Sequence, residues 1–170
     1  MMKTCEMSQI VDIRTVGAKP KIIEWQASEE ECKAIAERLK IRAVKALSAS
    51  VSVEVEDLVT VKGCFNADVV QSCVVTMADV DEHIKDSFTE YFSTSQATKS
   101  IDLDMEAPDV EPIENGRIDV GELVIEYLAL ALNPYPRKEG VVSGLAQRDK
   151  EEEEKTRPFA GLADLLKKPN

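Results

Sequence analysis

Residues 51–77, "VSVEVEDLVTVKGCFNADVVQSCVVTM", decide the fold class. Val51, Val53 and Val55 alternate with polar residues, and "LVTVKG" continues the pattern. Phe65, Ala67, Val69, Gln71, Cys73, Val75 and Met77 then fall on one side of a single extended run. Side chains of a strand point alternately to opposite faces, so a period of two sustained this long predicts long strands with one buried face.

Downstream, "ADVDEH" (78–83) reads as a turn and "IKDSFTEYF" (84–92) as the next element. Ile84, Phe88 and Phe92 fit one face of either a helix or a strand, and the β-rich surroundings assign a strand. "KSIDLDM" (99–105) alternates again. Together these segments predict an antiparallel meander, bent or rolled into a partial β-barrel. With only 5% aromatic residues, its core must be largely aliphatic.

Upstream, "IVDIRTVG" (10–17) and "KIIEW" (21–25) read as short strands parted by Gly17–Pro20. Ser28 and Glu31 then stand at capping-box spacing, followed by Cys32, Ile35, Ala36 and Leu39 at helical intervals, which predicts a helix from about Glu29 to Leu39. Should that helix continue, Arg38, Arg42 and Lys45 share a face, either as a solvated stripe or as a contact for RNA phosphates.

Toward the C-terminus, 106–115 is an acidic, proline-containing loop. Asp119 caps a second helix, with Glu122 three residues on and Val120, Leu123, Val124, Tyr127, Leu128 and Ala131 as its apolar stripe. Pro134 ends it, because the residue before proline is pushed out of the helical region. The chain thus divides into a flexible lead (1–9), an α+β domain (10–138) whose bent antiparallel sheet packs with two main helices, a charged linker (139–156) and a short amphipathic segment (157–170).

The net charge of −11 is concentrated. Residues 101–126 hold nine acidic residues against Arg117 alone, so −8 lies in that stretch. Such a segment repels nucleic acid and attracts basic proteins, and reads either as a docking surface or as a solvated acidic loop. "MMKTCEMSQIVDIRTVG" has no apolar run long enough for a signal peptide, and Leu123–Leu132 is about half a membrane span, so a cytoplasmic protein without membrane contact is expected.

Cys5, Cys32, Cys64 and Cys73 with His83 form no close ligand pair, which leaves a metal site built from Cys64, Cys73 and His83 as the weaker reading beside reduced, partly buried thiols. No phosphate loop, nucleophile elbow or HExxH sequence is present. Neither enzyme activity nor a cofactor is expected.

One resemblance runs through about two-thirds of the chain. The segments "VKGCFNADVVQSCVVTMADV", "DVEPIENGRIDVGELVIEYLALALNPYPRKEG" and "RPFAGLADLLKK" are similar, in this order, to the YceD-type family in its alphaproteobacterial form. The pattern IDxGELVxExLALALxPYPR joins a cap, an apolar order and a proline exit that an unrelated helix rarely combines. The resemblance implies a non-catalytic role in the synthesis, processing or stability of large-subunit ribosomal RNA, with a large-subunit precursor, ribosomal protein or ribosomal RNA as partner. Many relatives carry a CxRC pair at the end of the central strand. Here Cys73 matches the first cysteine and Thr76 replaces the second, which removes the basis for a metal or redox role of that pair.

Two contact modes follow. In one, an acidic surface of Asp102, Asp104, Asp109, Glu111 and Glu114 cradles a basic ribosomal protein, with Phe159, Leu162 and Leu165 of the C-terminal segment as a hydrophobic anchor and Arg157 as a contact residue beside them. In the other, Tyr135, Arg137 and Lys138, stiffened by Pro134 and Pro136, touch RNA directly. The charge balance tilts the sequence reading toward docking. A third option makes Pro134 and Pro136 a mere helix stop, with Tyr135 filling the rim of the core. The sequence sets no oligomeric state.

Overall fold

A computed structural model describes residues 7–93, 110–113 and 115–141. Its centre is a five-stranded sheet in the order β2 (Lys21–Gln26), β3 (Ala43–Val55), β4 (Val59–Ser72), β5 (Asp79–Ser93) and β6 (Val110–Pro112). The first four strands pair antiparallel, whereas β6 runs parallel to β5. A second sheet pairs β1 (Ile10–Asp12) with β7 (Arg117–Asp119). Two helices, α1 (Glu29–Leu39) and α2 (Val120–Ala131), complete an α+β fold that is not a closed barrel.

Alternation puts Val51 and Val53 of β3, and Val59, Val61, Phe65, Ala67 and Val69 of β4, on one buried face. Ile35 of α1 and Val124 and Leu128 of α2 are 0% exposed and join the same cluster. Each such side chain contributes about 1.5–3 kcal/mol relative to exposure, so one shared face can stabilise the whole domain. The opposite face carries Lys62, Asn66 and Asp68 and meets solvent.

The helix starts follow the sequence. Ser28 and Glu31 close a reciprocal capping box, and the Asp119 carboxylate accepts the N–H groups of Gly121 and Glu122. α1 stops at Leu39 because Lys40 turns left-handed, with φ of 55°. Arg42 and Lys45 therefore leave the helix, and the continuous stripe with Arg38 does not form. Arg38 pairs with Glu122, Arg42 with Asp79 at 3.5 Å and Lys45 with Asp81 at 2.6 Å.

Three further expectations need correction. β4 ends at Ser72, so Val75 and Met77 lie in the turn and are exposed, while "ADVDEH" largely belongs to β5. The turn is fixed by N–H donation from Cys73 to Ala78 and from Met77 to Cys73, at 2.8 and 2.9 Å. The acidic stretch after residue 106 includes strand β6 rather than being loop throughout. "KSIDLDM" lies outside the described residues, as does the C-terminal segment.

The sheet holds α2 through aromatic stacking. The rings of Phe88 and Tyr127 lie 4.4 Å apart and 5° from parallel, and the Tyr127 hydroxyl donates to Glu90. That hydrogen bond, with burial, pushes the phenol up to about 12.

Candidate functional site

Four segments converge at one end of the molecule: the exit from α1, the end of β4, the turn at 73–78, and the chain leaving α2. Asn133–Lys138 is bolted across this end. The Gln71 side-chain amide donates to the Asn133 carbonyl at 3.1 Å, and the Val74 N–H to that of Pro136 at 2.9 Å. The Lys138 N–H donates to the Cys73 sulfur at 3.5 Å. Within the segment, the Asn133 carboxamide oxygen accepts the Tyr135 N–H at 2.9 Å.

The clamp buries Pro136 and turns its neighbours outward. Tyr135 is 71% exposed, which removes it from the core rim, and Arg137 and Lys138 are exposed beside it. Met77 is 66% exposed on the adjoining turn. A cavity of about 370 Å³ lined by Lys40, Ile41, Arg42, Gln71, Ser72, Met77 and Pro136 opens here. Arg42 is fixed along it by donating to the Ser72 hydroxyl at 2.7 Å and the Met77 carbonyl at 3.2 Å. Among the described residues, Lys40, Arg137 and Lys138 have no ion-pair partner. Lys40 and Arg42 were not legible as neighbours of the proline exit, because nearly a hundred positions separate them in sequence.

The Cys73–Thr76 pair is also in contact. Cys73 is buried, which alone would raise its pKa, yet the Thr76 hydroxyl and then the N–H groups of Lys138, Thr76 and Val75 all donate to its sulfur and bring it down to about 6. Because the fold favours the thiolate, this contribution to stability is full above the ordinary thiol value of 9.0 and is lost as pH falls through about 6. Cys73→Ser should therefore flatten the stability profile over that window, read as urea midpoints against pH. Parallel wild-type and variant profiles would contradict a thiolate clamp.

Cys64 is exposed partway along β4 and Cys73 is buried beyond its end, so nine residues of extended chain, roughly 30 Å, separate them. His83 instead faces Asp68, with Nδ1 2.7 Å from its carboxylate. Cys64, Cys73 and His83 do not meet. Among the described residues, no three potential metal ligands cluster.

A second surface lies at the start of α2, about 18 Å from the proline exit along the helix axis. Phe92, Glu111, Pro112, Ile113, Arg117, Ile118, Asp119, Glu122, Leu123 and Glu126 line a groove of about 270 Å³ there. Of the acidic residues expected to form a docking surface, Glu111 stands on this rim. Asp102, Asp104, Asp109 and Glu114 lie outside the described residues, as do Arg157, Phe159, Leu162 and Leu165. Glu126, the last residue of the acidic stretch 101–126, stands on the same rim. Among the described residues, no helix is long and apolar enough to cross a membrane.

Residues 61–166 match the family described as Large ribosomal RNA subunit accumulation protein YceD. The match covers β4 onward, and so includes the clamp, the proline exit and the groove, but not Lys40 or Arg42. No curated protein and no solved structure gives a match.

Proposed function

Because this chain belongs to the YceD family of large ribosomal RNA subunit accumulation proteins, we propose that it supports that accumulation without catalysis, by holding RNA on the rigid end formed around Asn133–Lys138. The observation that carries this reading is the clamp: three hydrogen bonds from Gln71, Val74 and Lys138 hold Tyr135 outward beside Arg137 and Lys138. An exposed aromatic beside several cations is the chemistry that binds single-stranded RNA, through base stacking and phosphate neutralisation. Rigidity lowers the ordering cost of binding.

The net charge of −11 argued for docking in the sequence reading. Its distribution answers part of that objection. The acid is concentrated in 101–126, while at the other end of α2 Lys40, Arg137 and Lys138 have no ion-pair partner among the described residues and Arg42 is paired with Asp79. Docking of a basic protein keeps its own support in the acid-rimmed groove.

The test is sedimentation of the tagged chain in extract, with and without ribonuclease, followed by affinity measurements on large-subunit RNA fragments. Co-migration with a large-subunit precursor that ribonuclease abolishes is expected. The Arg137→Ala/Lys138→Ala variant should weaken RNA binding about tenfold and lower the salt slope by about 0.7 for each lost contact. Tyr135→Ala should cost about 1–3 kcal/mol. Ribonuclease-insensitive migration, or affinity unchanged in both variants, would remove this reading.

A further inference from the structure

We propose that the groove between β6 and the first turns of α2 docks a lysine- or arginine-rich segment of a partner protein, which inserts an apolar side chain between the acidic rims. The floor is apolar: Phe92, Pro112, Ile113, Ile118 and Leu123. At about 270 Å³ the groove falls below the usual range for small-molecule sites, roughly 300–1,000 Å³, and suits one or two inserted side chains better.

Charge selects the occupant. Glu111, Asp119, Glu122 and Glu126 surround the floor against Arg117 alone. Two of the four are already engaged. Asp119 accepts the N–H groups at the start of α2, and Glu122 pairs with Arg38. Glu111 and Glu126 have no hydrogen-bond or ion-pair partner among the described residues. Partial burial, and then the charges of Glu122 and Glu111, push the Glu126 carboxyl upward, so an approaching cation relieves repulsion already present. An acidic phosphate backbone would meet the same field as repulsion, which separates this surface from the basic end of α2.

The patch is small and its partner contact correspondingly transient, as interfaces well below about 1,200 Å² are. Electrostatic attraction then acts mainly on encounter rate and orientation. Because the groove and the RNA-directed end lie at opposite ends of α2, either can fail without the other.

The test uses the full chain and a synthetic peptide of about fourteen residues, with leucine at i, i+3, i+4 and i+7 and lysine elsewhere. Binding is followed by fluorescence anisotropy at several salt concentrations. Glu111→Gln/Glu126→Gln should weaken binding about tenfold. The charge-matched control Glu29→Gln/Glu30→Gln, on the exposed first turn of α1, should change it less than about twofold. Replacing the peptide leucines with serine should also abolish binding, since the floor then has nothing to cover it. Equal loss in both charge pairs would mean non-specific attraction and overturn the proposal, as would no binding at all. Binding that appears only after removal of residues 157–170 would assign the groove to this chain's own C-terminal segment, and overturn it too.

Discussion

Replacing Gly121 with alanine is expected to destabilise the protein by about 4 kcal/mol, although glycine-to-alanine changes inside helices usually stabilise by about 1 kcal/mol. The reversal comes from the chain that crosses the helix start. A Cβ at Gly121 would occupy the position of the Met7 carbonyl oxygen, with the Gln9 N–H close by. That backbone has little freedom to move. The Val120 N–H donates to the Gln9 carbonyl at 3.0 Å, the Gln9 N–H donates to Asp119 at 2.9 Å, and the Ser8 hydroxyl donates to Asp119 at 2.7 Å. Met7 is 0% exposed, and its sulfur accepts the Trp25 indole N–H at 3.2 Å. Displacing the strand thus breaks a cap, a strand pairing and a core contact together. Urea denaturation measures the effect, with Leu130→Ala at a 78% exposed site of the same helix as a control expected within about 0.5 kcal/mol. A Gly121→Ala variant as stable as the parent would mean that this crossing does not form.

What was legible in the sequence was what local chemistry dictates. α1 begins and ends at the residues that its capping box and apolar spacing indicated, and alternation holds in β3 from Leu47 to Val53 and in β4 from Val59 to Val69, broken by the irregularity at Val44/Ala46 and by buried Val70. Ile84, Phe88 and Phe92 were ambiguous because a spacing of four is an even number and also lies near 3.6. Pairing with β4 along the full length of β5 decides for a strand. The turn after β4 was misplaced because Val75 and Met77 extend the alternation beyond the last ladder residue. No local signal could show that β6 lies parallel to β5, since that register is set by chain far away.

The candidate site divides the same way. Tyr135, Arg137 and Lys138 were nameable from composition and from the two prolines. Their outward direction was not, because it depends on Gln71 and Cys73, which look like ordinary inward strand residues. The Gln71 Oε1 atom remains buried without a partner. The strand therefore keeps a polar residue inside where an apolar one would fill the alternation, and the amide's hydrogen bond to Asn133 is what that residue supplies.

Gly63→Ala is expected to cost about 3 kcal/mol and to weaken the proposed RNA contact without touching it. A Cβ at this β4 position would overlap the Phe88 ring, which lies over the strand and stacks on Tyr127. The ring is 6% exposed and packed in the core, so it can yield only by losing its stacking on α2. The clash has a specific relief: Phe88→Leu shortens the side chain that the new methyl meets. Alone, Phe88→Leu should cost about 1.5 kcal/mol through lost volume and stacking. Combined with Gly63→Ala it should cost about 3 kcal/mol, well short of the additive sum, which gives a coupling of about 1.5 kcal/mol. Additive costs would place the strain of Gly63→Ala somewhere other than this ring. The coupling also bears on function. Tyr127 lies in the middle of α2, and the exit at Asn133 leaves from the same helix. If the ring stack sets the height of α2 over the sheet, Gly63→Ala should loosen the clamp and reduce RNA affinity, and the double variant, relieved of the clash but lacking the aromatic pair, should not regain it. Affinity restored in the double variant would show that packing volume alone, and not the aromatic pair, positions the basic end.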